Sequence, residues 1–164
     1  MKTVLEKVFT DLDRRIEDEN ADRKDSGARL IAKAEIKVLG QTSLLAQPEL
    51  TYELVLAQTG DLDAQLRCDY FVKEELKKIL PKHQLIYDED SDLIYIPNGS
   101  QFNPFGSYRN LSVSVIDPES ALVSKALKAP LKNKQLIRSA LASGNFKSLA
   151  SRIVKENGDL GFFT

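Results

Sequence analysis

Asp61 and Asp63, in the stretch TGDLDAQL, stand two residues apart between aliphatic neighbours. Side chains of an extended segment alternate between faces, so the two carboxylates project together while Leu62 and Ala64 turn the other way. Along a strand such a pair is only about 7 Å apart. Like charges at that spacing repel unless water, a basic side chain or a cation relieves them, and magnesium, which prefers hard oxygen ligands, relieves them well. By itself an Asp-x-Asp is more often a solvated strand edge than a metal site. The upstream stretch KVLGQTSLLAQ sharpens the choice. There a hydrophobic strand reaches Gly40 and then hydroxyl residues at a helix start, where backbone N–H groups and Ser43 can hold a phosphate.

Other side chains able to do chemistry are few. Lys125, Lys128, Lys132, Lys134 and Arg138 gather on two successive helical patterns. Such a cluster can meet a nucleotide's phosphates or an RNA backbone, although solvated helix faces account for most basic runs. Cys68 and His83 are each the only residue of their kind. That excludes disulfides within the chain, zinc clusters of Cys/His type and a two-histidine metal motif. Cys68 reads as a small buried hydrophobe and His83 as a loop residue after a helix-ending proline. The acidic run DEDSD lacks the glycine and distal glutamate of a calcium hand and reads as a solvated turn.

The elements that must position these groups follow from periodicity. Val4, Leu5, Val8, Phe9, Leu12 and Ile16 describe an amphipathic first helix that fades in EDENADRKDSG, the best linker candidate, so residues 1–29 are set apart as helix and linker. AEIKVL reads as a strand, QTSLLAQ as a short helix that Thr42 or Ser43 caps, and TGDLDAQL as a second strand. DYFVKEELKKIL is helical up to Pro81. HQLIYDEDSDLIYIP reads as two short strands around an acidic turn, and NLSVSVI as a further strand. PESALVSKALKA, LKNKQLIRSALASG and FKSLASRIVKENG are three closing helices, two of them ending in glycine. This order suggests an α/β or α+β domain whose mixed sheet is covered by helices.

The chain has 164 residues, 42% of them hydrophobic and 29% charged, which is globular composition and favours one folding unit. No apolar run approaches the roughly 20 residues that span a bilayer. Charges interrupt the apolar positions of MKTVLEKVFTDLDRR, unlike a secretory leader, and a lone thiol suits a reducing cytoplasm, so a cytoplasmic protein without membrane partners is expected. Basic residues (23) nearly balance acidic ones (24), leaving no global field to gather nucleic acid.

Four segments in order, LGQTS at 39–43, TGDLD at 59–63, IDPESALVSK at 116–125 and LKNKQLI at 131–137, resemble the nucleotidyltransferase superfamily with the polymerase-β-like fold. More specifically, they are similar to the minimal bacterial nucleotidyltransferases of toxin–antitoxin and abortive-infection systems. The resemblance spans roughly residues 30–142 and implies an α+β fold, a nucleotidyltransferase-like mixed sheet covered by helices, with residues 143–164 as a helical C-terminal segment of the same unit. It implies transfer of a nucleoside monophosphate from a nucleoside triphosphate to a protein or RNA acceptor, with Asp61 and Asp63 holding Mg2+. Gly40, Gln41, Ser43 and Lys125 fall on its nucleotide-binding positions. The third carboxylate that activates the acceptor is assigned to Asp92, with Asp90 as the alternative. The family also implies a partner protein, toxin or antitoxin. Gln41 replaces the second glycine or serine of many relatives, Lys132-Asn133 replaces a lysine-aspartate pair, and LSVSVI carries no carboxylate before Asp117, a helix cap. These departures favour the alternative of a catalytically weakened member acting as a nucleotide- or partner-binding module.

Overall fold

Leu5, Val8, Phe9, Leu12 and Ile16 recur every three or four residues, and the stripe they form is completely buried. In the computed structural model, which describes residues 1–164, it lies along α1 (Lys2–Ser26). The elements that follow are β1 (Ala34–Val38), α2 (Gly40–Leu45), α3 (Pro48–Thr51), β2 (Asp61–Leu62), β3 (Ala64–Arg67), α4 (Tyr70–Ile79), β4 (Ile86–Tyr87), β5 (Phe102–Pro104), β6 (Leu111–Ile116), α5 (Pro118–Lys128), α6 (Lys134–Ser143) and α7 (Leu149–Lys155).

The charged stretch expected to be a linker is helical. α1 continues to Ser26 and closes on Gly27 in the left-handed region, φ 72°. Arg23 pairs with Glu19 one turn earlier at 3.1 Å and lies over the Phe71 ring, while Asn20 exchanges hydrogen bonds with the Ile31 backbone. Opposite charges one turn apart sustain a helix where no apolar stripe remains. The buried stripe of α1 belongs to the same core as the sheet, so residues 1–29 are integral to the domain.

The result is a mixed α+β molecule with a four-stranded sheet of order β3-β1-β6-β5. β1 runs parallel to β6 and antiparallel to β3, and β5 is antiparallel to β6. The register sets Ile36 beside Val113 and Val38 beside Val115, and this apolar face packs with the buried residues of α1 and α4. A second core gathers Leu39, Leu44, Ile116, Leu122, Ile137 and Ile153 from the ends of β1 and β6 and from α2, α5, α6 and α7. The parallel strands β1 and β6 therefore both deliver their C-terminal ends to the seam between two cores, where ligand crevices of open sheets lie. No helix is long and apolar enough to cross a membrane.

Two expected strands take other forms. TGDLDAQL is broken at Asp63: β2 joins a separate two-stranded parallel sheet with β4, whereas β3 joins β1. The expected hairpin around DEDSD is absent, because Ser91–Leu93 forms a 3-10 turn and residues 94–97 make no strand. β5 at Phe102–Pro104 went unexpected, three residues being too few to show alternation.

Candidate active site

Gly40 is placed by β1, which is followed by a wholly buried Leu39 whose N–H donates to Asp63 O at 2.8 Å. The chain turns at Gly40 with φ +58°, a conformation that strains any residue with a Cβ. A Cβ there would also run into the Asp63 carboxylate, at Oδ2. The glycine thus gives the aspartate room as well as making the turn.

Both acids of the Asp-x-Asp face one cavity, with Leu62 and Ala64 completely buried behind them, as alternation requires. Thr42, also completely buried, locks the segment: its Oγ1 donates to Asp61 O at 2.8 Å and accepts from Asp63 N at 3.3 Å. The third acid of the cluster is Asp88. β4 lies parallel to β2 with Ile86 beside Asp61 and Tyr87 beside Leu62, and Asp88 N donates to Leu62 O at 3.0 Å, so the same register brings Asp88 next to Asp63. Buried Ser91 fixes this turn from behind, donating to Asp88 O at 2.7 Å and accepting from Ala64 N at 3.0 Å.

Asp92, the expected third carboxylate, is not in this cavity. The 3-10 turn rotates it onto a shallow hollow on the outer face of the sheet, with Glu35, Lys37 and Arg67. Asp90 does line the cavity, as an exposed residue at its mouth whose N–H donates to Asp88 Oδ1 at 2.9 Å. Ser43, expected to donate to phosphate, is completely buried and spends its hydroxyl on Gly40 O at 2.6 Å. α2 has neither Thr42 nor Ser43 as a cap; its N-cap is Leu39. Gln41 lines the cavity but donates its Nε2 to Ala57 O at 2.7 Å, tying the loop before the Asp-x-Asp to the glycine turn. Asp117 caps α5, accepting from Ser120 N.

The opposite wall is α5 and the turn into α6. Lys125, Lys128 and Lys132 line the cavity there, whereas Lys134 lies over the Phe162 ring. Lys128 rests on the Tyr95 ring at 4.8 Å, and Tyr95 is held by Ser124 Oγ at its carbonyl (2.6 Å) and by Glu156 at its hydroxyl (3.1 Å). An apolar shelf, Leu93-Ile94-Tyr95, completes a cavity of about 490 Å³, within the range of small-molecule sites.

Charge is divided across this space, with Asp61, Asp63, Asp88 and Asp90 facing three lysines. Burial pushes the Asp63 carboxyl up to about 7, and a hydrogen bond with the Asp88 carboxylate and its negative charge push in the same direction, against the pull of Lys125. Near neutral pH Asp63 therefore keeps its proton about half of the time. Burial also holds Lys125 below the usual lysine range, despite the opposing charge of Asp63. No protein-family model matches this chain, and no curated protein or solved structure matches it.

The site has the chemistry to accept a hard cation. Its donors are the carboxylate oxygens of Asp61, Asp63 and Asp88, whose mutual repulsion a cation would relieve. No group of three or more Asp, Glu, His or Cys side chains able to hold a metal is assembled in advance. Magnesium keeps most of its waters and takes one or two carboxylates together with substrate phosphates, so Asp61 and Asp63 would hold it jointly with a bound substrate.

Proposed function

We propose that the chain is a magnesium-dependent nucleotidyltransferase, moving a nucleoside monophosphate from a nucleoside triphosphate to a hydroxyl of a protein or RNA. The observation that carries this reading is the juxtaposition of Asp61, Asp63 and Asp88, on and just after the parallel strands β2 and β4, with Lys125, Lys128 and Lys132 across one cavity. In the proposed reaction the acceptor oxygen bonds to the α-phosphorus as the bond to pyrophosphate breaks.

Magnesium bound by Asp61 and Asp63 would neutralise charge on the transferring phosphate and acidify the attacking hydroxyl. The lysines offer counter-charge to the phosphates, and the apolar shelf offers a surface to the nucleoside. Asp88 is the side chain best placed to take the acceptor's proton, being beside Asp63 and held by Ser91 and the β4 register. Gly40 and Thr42 act indirectly, one by leaving space and the other by fixing the acidic strand.

A second reading, a nucleotide- or partner-binding module of weakened activity, is favoured by one feature. The two polar side chains of the glycine turn expected at the phosphates, Gln41 and Ser43, both make hydrogen bonds within the protein. In either form a toxin–antitoxin partner is compatible with the resemblance. The two readings separate when the protein is incubated with magnesium, nucleoside triphosphates labelled at the α-phosphate, and a cell lysate. Label entering protein or RNA with wild type and not with Asp61→Ala/Asp63→Ala supports transfer, and label entering neither removes it.

A further inference from the structure

Asn133 lies in the turn between α5 and α6, lines the candidate active site and is nine-tenths buried. Its Nδ2 donates to Ala129 O at 2.9 Å, one turn back. This bond fixes which way the amide faces, because the reversed amide would set Oδ1 against the Ala129 carbonyl oxygen, two acceptors with no hydrogen between them. Oδ1 is left without a donor from the protein, yet no buried side-chain oxygen or nitrogen lacks a partner. The only consistent arrangement is that Oδ1 is open to solvent, on a residue that lines the cavity.

An unpaired acceptor on a residue lining the cavity beside Lys128 and Lys132 is the wrong group for a phosphate, since oxygen would meet oxygen. It suits a neutral donor on a molecule whose phosphates the lysines hold. We infer that Asn133 Oδ1 is a specificity contact, accepting a hydrogen bond from an O–H or N–H group of the bound nucleotide, a sugar hydroxyl or an exocyclic base amine. The inference rests on the nucleotide reading of the site and adds to it the group that is recognised. Acceptors that a bound ligand closes off from water discriminate well, because a ligand lacking the donor leaves the acceptor stripped of water and unpaired.

The test is calorimetric titration of the full chain, in magnesium, with ATP, 2′-deoxyATP, 3′-deoxyATP, GTP and ITP, which lacks the exocyclic amine of both ATP and GTP. Wild type is expected to bind one class of analogue about tenfold more weakly than its parent. A deoxy analogue in that role identifies a sugar hydroxyl, and ITP identifies the base amine. Asn133→Ala and the similarly sized Asn133→Leu, each checked for an intact melting transition, are expected to bind parent and analogue alike. Equal affinities for all five nucleotides in wild type, or a preference that survives in whichever variant folds, overturns the assignment and leaves the nucleotide reading standing. Failure of wild type to bind any of these five, or CTP or UTP, removes both.

Discussion

Replacing Asp63 by asparagine should stabilise the metal-free protein at alkaline pH and leave it nearly unchanged in acid. The ionised Asp63 carboxylate is buried against Asp88, which holds its pKa at about 7 rather than near 3.8. At 1.36 kcal/mol for each pKa unit, ionisation in the folded state costs about 4 kcal/mol before screening. Asp63 still reaches water through the cavity, and screening reduces the expected effect to about 2 kcal/mol. The sign follows from linkage. A carboxylate whose folded pKa is raised contributes stability that is complete below its unfolded pKa and is lost as pH rises through the folded one. Wild type therefore loses this increment between about pH 4 and pH 7, while Asp63→Asn does not. Thermal melts in chelator should show the variant about 4–8 °C above wild type at pH 8, with the gap closing toward pH 4. Effects of titrating groups that do not interact with Asp63 are common to the two proteins and cancel. A variant that melts with wild type at pH 8, or a gap independent of pH, would refute the account of Asp63 as a buried carboxyl that ionises only near neutral pH.

Gly40→Ala combines a left-handed backbone with a collision against Asp63. A loss of about 2–4 kcal/mol in urea unfolding is expected, together with loss of metal-dependent nucleotide binding; unchanged stability would show that the turn relaxes. Thr42→Val keeps the shape but removes the hydroxyl from Asp61 O and Asp63 N. It should cost about 2 kcal/mol and weaken magnesium binding, whereas Asp92→Asn, on the outer face of the sheet, should leave nucleotide binding unaltered.

Much of the site could be read in the sequence because it depends on local rules. Alternation around Leu62 was enough to put Asp61 and Asp63 on one face, and the strand before Gly40 was marked by its apolar residues. Asp88 was harder. The alternation of Leu85 and Tyr87 turns Ile86 and Asp88 outward together, but nothing local announces that β4 pairs in parallel with β2, and only that long-range register brings Asp88 to Asp63. Asp92 was misplaced because the expected second strand of a hairpin is instead a single 3-10 turn, and three residues of turn are enough to reverse the direction of a side chain. Ser43 was misjudged for a different reason. A hydroxyl near a helix start can serve a ligand or its own backbone, and only the fold decides, here in favour of Gly40 O. The charged second half of α1 reads as a linker because it lacks an apolar stripe, and it is helical through paired charges and its contacts with Ile31 and Phe71.

The central claim is that Asp61 and Asp63 hold a cation through which the cavity takes a nucleoside triphosphate. Titrating ATP, GTP, CTP and UTP into wild type and Asp61→Ala/Asp63→Ala, with magnesium and then with chelator, tests it most directly. The account predicts saturable binding of at least one nucleotide by wild type that requires magnesium and is abolished in the double variant at unchanged or raised thermal stability. Binding that ignores magnesium, or that survives removal of both acids, would contradict it.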